Sequence, residues 1–101
     1  GVVMKLDHIA LKSNNIPLDV AWYKKNTNAE ILYQDDTWAL MSFEDSSKLA
    51  LVTPTQHPQH IAFVWSGEPD NRFKEHRDGT KSFYEKDPSG NIIEWIWYPK
   101  E

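Results

Sequence analysis

Apolar and polar positions alternate through most of this chain, with one stretch of helical spacing near its start. Met4 to Lys12 reads as a strand: Leu6, His8, Ala10 and Lys12 face one way, and Asp7, Ile9 and Leu11 the other. Ser13-Asn14-Asn15 supplies capping and turn residues, and Pro17 suits a first helical turn. From Pro17 to about Asn26, Leu18, Ala21, Trp22 and Lys25 recur at helical spacing. This predicts a helix that lays an apolar stripe on a sheet. Three short strands follow, at about Ala29 to Gln34, Trp38 to Glu44 and Lys48 to Thr53, joined through Asp35-Asp36 and Glu44-Asp45-Ser46-Ser47. The first half thus reads strand, helix, three strands. Pro54 to Gln59 carries two prolines and reads as a linker.

The second half begins as the first does. His60-Ile61-Ala62-Phe63 echoes His8-Ile9-Ala10-Leu11, which marks an internal repeat of one supersecondary unit. The helix expected next is missing, because residues 66–71 are too few and contain Gly67 and Pro69. Arg72 to about Arg77 is predicted as a strand. Two more strands are joined by Asp87-Pro88-Ser89-Gly90, a turn in which Pro presets φ and Gly takes the fourth position. The last strand, Asn91 to Tyr98, is rich in β-branched and aromatic residues. Ile92, Glu94, Ile96 and Tyr98 share one of its faces. A carboxylate between two isoleucines needs a partner or a metal, since charges are seldom buried alone.

Composition narrows the class. With 101 residues the chain is one domain, of two modules at about 4–53 and 60–99. A net charge of −4 argues against nucleic acid and anionic membranes as partners. There is no cysteine, hence no disulfide framework and no thiolate metal site; this fits a cytoplasmic protein. No apolar run reaches the roughly 18 residues of a membrane span.

His8 and His60 hold the same place in the two echoed strands, and Glu94 is a third polar group on an otherwise apolar face. Two neutral imidazoles and a carboxylate suit a divalent transition metal such as Zn, Mn, Fe, Ni or Co. Three protein ligands leave coordination positions open, as catalytic sites do.

The motifs Leu6-Asp7-His8-Ile9-Ala10, His60-Ile61-Ala62-Phe63 and Ser82-Phe83-Tyr84 through Asp87-Pro88-Ser89-Gly90-Asn91-Ile92-Ile93-Glu94 together resemble the vicinal oxygen chelate superfamily. Its members include glyoxalase I, bleomycin-resistance proteins, fosfomycin-resistance proteins and extradiol dioxygenases. The resemblance implies an α+β fold of paired βαβββ modules, a mixed sheet curled around a cleft, with the second module lacking its helix. It also implies metal ligands at His8, His60 and Glu94. A fourth ligand, present in some members, has no counterpart in Leu49-Ala50-Leu51-Val52. Lys74, Ser82 and Tyr84 fall where fosfomycin-type members carry polar, phosphonate-facing groups. Ala10 departs from that pattern, which has a hydroxyl residue there, and the chain ends at Glu101, before a further arginine of those enzymes.

The leading expectation is a metal-dependent enzyme acting on a small oxygen-rich molecule by Lewis-acid catalysis, with isomerase, lyase or addition chemistry. Tyr84 is its candidate catalytic residue, and Ser82, Tyr84 and Lys74 its candidate substrate contacts. No residue stands out as a separate general base. One rival is a non-catalytic protein that sequesters a small molecule, as bleomycin-resistance proteins do, which the five tryptophans suit. Another is Fe(II) ring cleavage, for which two His and one carboxylate are the right ligands. His57 reads as a solvated linker residue, His76 as surface within a charged stretch, and Asp87 as a turn residue. Strand alternation puts Ile61, Phe63, Trp65, Phe83, Ile93, Trp95 and Trp97 on the face opposite Glu94, with no helix to cover them. A homodimer that buries this face is expected.

Overall fold

In the computed structural model, residues 4–100 are described. They form one helix and eight strands, in the order β1 (Leu6–Lys12), α1 (Ile16–Asn26), β2 (Glu30–Gln34), β3 (Trp38–Ser42), β4 (Lys48–Val52), β5 (His60–Val64), β6 (Lys74–Glu75), β7 (Lys81–Lys86) and β8 (Ile92–Trp97). The strands make a mixed sheet in the order β2-β3-β4-β1-β5-β8-β7-β6. The strand order is open at both ends: among the described strands β2 and β6 each pair on one side only. Among the described residues, 8–59 form one compact unit, and 60–100 with 4–7 form another.

In the unit of residues 8–59, β1 lies parallel to β4, β4 antiparallel to β3, and β3 antiparallel to β2. Alternation sorts its side chains onto two faces. Ala39, Met41, Leu49 and Leu51 pack with Ile16, Val20 and Ala29 under the helix, and half-buried Tyr23 and Phe43 close this core. Ala10, Ala50 and Val52 form the other face with Trp38 and Leu40. The residues facing away from α1 on β1 and β4 are therefore small where they flank His8. β2 is exposed along its whole length, and its register shifts between Ile31 and Tyr33, which leaves Leu32 as a bulge.

The helix starts one residue earlier than the pattern suggested, and it turns a different side to the sheet. Asn15 caps it, its side-chain oxygen accepting from the Leu18 amide at 3.1 Å, and Thr27 ends it by donating to the Tyr23 carbonyl. Ile16 and Val20 are buried and Tyr23 half-buried, a set spaced i, i+4, i+7. The predicted stripe is corrected: Leu18 is 66% and Trp22 57% exposed. Reading Pro17 as the first helical residue omitted Ile16, the anchor that fixes the helix's rotation.

The second unit repeats the strand pairings without the helix. β5 is parallel to β8, β8 antiparallel to β7, and β7 antiparallel to β6. β6 is shorter than the predicted Arg72 to Arg77. Asp70 caps a turn at its start, accepting from the Arg72 amide, and a hairpin turn begins at His76, whose carbonyl accepts from Gly79. Gly79 sits at φ +87°, a conformation that glycine adopts without steric cost.

On the face opposite Glu94 the expected aromatics meet. Trp65 packs edge-on against Phe73, Phe83 and Trp95, and Phe63 lies beside Trp95 at 5.6 Å between ring centres. The local chain supplies more cover than the sequence suggested. Phe73 folds onto Phe83 at 4.8 Å, and the Arg72 guanidinium sits 4.4 Å from the Phe83 ring centre, held by Asp70. These rings remain half-buried, and Ile61 is 36% exposed.

Candidate metal centre

The central pair comes from adjacent parallel strands. Ala62 on β5 lies opposite Glu94 on β8, and His60, two residues earlier, shares the face of Ala62. Both side chains are buried, and His60 Nε2 lies 3.2 Å from Glu94 Oε1. Alanine at position 62 leaves room for this approach. On the other side of Glu94, β7 places Tyr84 directly opposite it. The Tyr84 ring stands edge-on to the His60 imidazole, 5.3 Å between centres. Burial, aided by the Glu94 carboxylate, pushes the Tyr84 hydroxyl up to about 12. It is therefore a hydrogen-bond donor across the physiological range.

Each of His8, His60 and Glu94 offers a ligand atom, and these atoms all lie within 4.8 Å of one another. This donor set fits a divalent ion. At bond lengths of about 2.1 Å, neighbouring ligands of one ion stand roughly 3.0–3.4 Å apart, close to the His60–Glu94 separation. Two nitrogens and one oxygen match borderline metals better than calcium or magnesium, which prefer oxygen alone.

The other expected site residues are placed as follows. Ser82 lies on the same face as Tyr84 but is only 3% exposed. Its Oγ is 2.6 Å from His76 Nε2, and the imidazole is the exposed member of that pair. Lys74 on β6 pairs with Ser82 and is exposed on the same side. His76 is on the surface, as the sequence reads, but its contact with Ser82 was not foreseen. The signal was Gly79: a tight turn after position 76 folds that residue back toward position 82. Sequence reasoning missed Asp7, which is buried and accepts from the Tyr98 hydroxyl at 2.8 Å. Burial first, then this bond to Asp7, raises the Tyr98 hydroxyl well above its ordinary value. The bond ties the start of β1, next to His8, to the residue following β8. Asp87 caps its turn as expected, accepting from the Ser89 and Asn91 amides.

Solved structures match the fold over nearly the whole chain. A glyoxalase/bleomycin resistance protein/dioxygenase superfamily member from Vibrio splendidus 12B01 aligns with a TM-score of 0.72 at 10% identity, covering 95% of this chain and 100% of that one. The chain has the fold of this superfamily. A hypothetical protein from Bacillus halodurans C-125 aligns with a TM-score of 0.74 at 14% identity, covering 99% and 98%. A Legionella pneumophila chain described as NAD-dependent benzaldehyde dehydrogenase aligns at 0.63 and 13%, covering 90% and 97%. Identities this low speak for the fold alone, and one fold hosts many chemistries. No family model and no curated protein matches the sequence. No helix among the described residues is long and apolar enough to cross a membrane.

Proposed function

We propose that the protein is a metal-dependent enzyme acting on a small, oxygen-rich molecule, with His8, His60 and Glu94 as the metal ligands. The observation that carries this reading is the donor set itself: two imidazoles and a carboxylate, two of the three buried, with ligand atoms within 4.8 Å. A divalent ion held there would supply Lewis-acid polarisation of substrate oxygens. Tyr84, protonated and opposite Glu94, donates a hydrogen bond to substrate and orients it. Lys74 offers a cation on the same side for an anionic group. The sequestering alternative drew on the tryptophans, but Trp65 and Trp95 lie on the face opposite His60 and Glu94. They do not line this centre.

Elemental analysis tests the reading. The purified protein should carry close to one divalent ion per chain, and His60→Ala should lose most of it. Affinity should fall as pH drops from 7 to 5, because imidazoles ligate only when neutral. A protein that binds no divalent ion, or whose binding His60→Ala leaves unchanged, would overturn it.

A further inference from the structure

The helix leaves part of its own unit uncovered. α1 packs on β2, β3 and β4, and the strip over β1 stays open. There Leu11 is 36% exposed, although Leu51, its register partner on β4, is buried under the helix. A cavity of about 430 Å³ opens on this strip, within the unit of residues 8–59. Small-molecule sites are commonly of this size. We propose that this cavity binds a small methylated ammonium compound that also carries an oxygen. The proposal is independent of the metal-site reading, which concerns other residues.

The cation is read from one flank of α1. Asp19, Trp22 and Tyr23 are spaced i, i+3, i+4, so they project from neighbouring positions, and all three line the cavity. The Trp22 and Tyr23 rings meet edge to face, 5.0 Å between centres and 80° between planes. Two rings almost at right angles make a corner, and aromatic faces attract cations. Methyl groups on a nitrogen spread its charge and give it an apolar surface. That surface suits both the rings and the floor of Leu11 and Leu51.

Asp19 supplies the opposite charge, and it is held in advance. The buried Ser13 hydroxyl donates to Asp19 Oδ2, while Ser13 Oγ accepts from the Asn15 amide at 3.3 Å. A carboxylate anchored in this way loses little freedom when a ligand arrives. Oδ1 keeps its capacity to face a cation.

The ligand's oxygen is read from Gln59 at the rim. Gln59 Oε1 accepts from the Lys12 amide at 3.1 Å, which orients the side-chain amide and leaves its Nε2 hydrogens as donors. Lys12 brings no repelling charge to the corner. It pairs with Val52, on the face of β1 and β4 that is turned away from α1, so it meets the cavity through its backbone. Leu11, one residue earlier, turns to the cavity instead.

Choline is the probe, and the Trp22 indole N–H is the reporter, assigned in 1H–15N NMR spectra by its loss in Trp22→Phe. Choline should shift this signal saturably in the millimolar range. Asp19→Asn keeps an acceptor for Ser13 but removes the charge, and it should weaken binding about fivefold or more. Trp22→Ala, read at the Tyr23 amide, should do the same, and Trp22→Phe should restore part of the loss. The carbon isostere 3,3-dimethylbutan-1-ol has choline's shape without its charge and should leave the signal in place. No saturable shift overturns the proposal, as does equal binding of the isostere or of the Asp19→Asn and Trp22→Ala proteins. A Trp22 signal that moves with protein concentration alone would mean that a second copy covers the cavity, and would overturn it too. A trimethyllysine peptide and phosphatidylcholine vesicles carry the same cation and should bind no more tightly than choline. Tighter binding of either overturns the assignment to a free small molecule.

Discussion

Which side of α1 faces the sheet is decided by two truncations, Val20→Ala and Leu18→Ala. Val20 is 3% exposed within the core that includes Ile16, Met41 and Leu51; Leu18 is 66% exposed. Val20→Ala removes two buried methyl equivalents, about 1.6 kcal/mol at roughly 0.8 each. The residual cavity adds about 0.5–1 kcal/mol. Alanine's better helix propensity returns about 0.5 kcal/mol, giving a net loss near 1.5–2 kcal/mol. Leu18→Ala should change stability by no more than about 0.5 kcal/mol. In urea, with a slope of about 1–1.5 kcal/mol per molar, the Val20→Ala midpoint should fall by about 1–2 M and the Leu18→Ala midpoint by under about 0.5 M. Equal losses, or a larger one for Leu18→Ala, would refute the helix rotation and restore the stripe read from the sequence.

Two further outcomes are expected. The half-buried aromatic face of β5, β7 and β8 should pair with a second copy, so Trp95→Asp with Trp97→Asp should shift a dimer to monomer in light scattering. A wild-type monomer would remove that proposal. In an alkaline absorbance titration of the metal-free protein, one tyrosine should ionise near pH 12 and vanish in Tyr84→Phe. Because the folded value is raised, the neutral hydroxyl supports folding below pH 10. That support is lost as pH climbs from 10 through 12, so Tyr84→Phe should flatten the stability curve in this window.

Period-2 alternation carried most of the fold. It put Glu94 and His60 on one face and Trp65, Phe83 and Trp95 on the other, because the strands keep a regular pleat in β5, β7 and β8. The His-Ile-Ala echo reads through to the matching pairings, β1 with β4 and β5 with β8. What stayed hidden depends on contacts that a linear pattern does not encode. Ile16 precedes Pro17 and lies outside the stretch that the spacing reads as helix. Phe73 and Arg72 looked like strand residues, yet they cover aromatic rings from a turn. His76 and Ser82 are six residues apart and meet only because a glycine at φ +87° reverses the chain between them.

The bulge at Leu32 bears on how the protein survives at high concentration. Ile31, Leu32 and Tyr33 are all exposed on β2, a terminal strand of the sheet whose outer edge has no strand partner among the described residues. Such a strand is a template on which another chain can stack and grow into a fibre. The register shift between Ile31 and Tyr33 breaks the even ladder that stacking requires. Glu30 and the Asp35-Asp36 pair set like charges at both ends of the apolar run. Deleting Leu32 would straighten the strand and leave two apolar residues on an unbroken edge. One surplus residue, with the charges on either side of it, thus keeps this edge from offering a regular ladder to another chain.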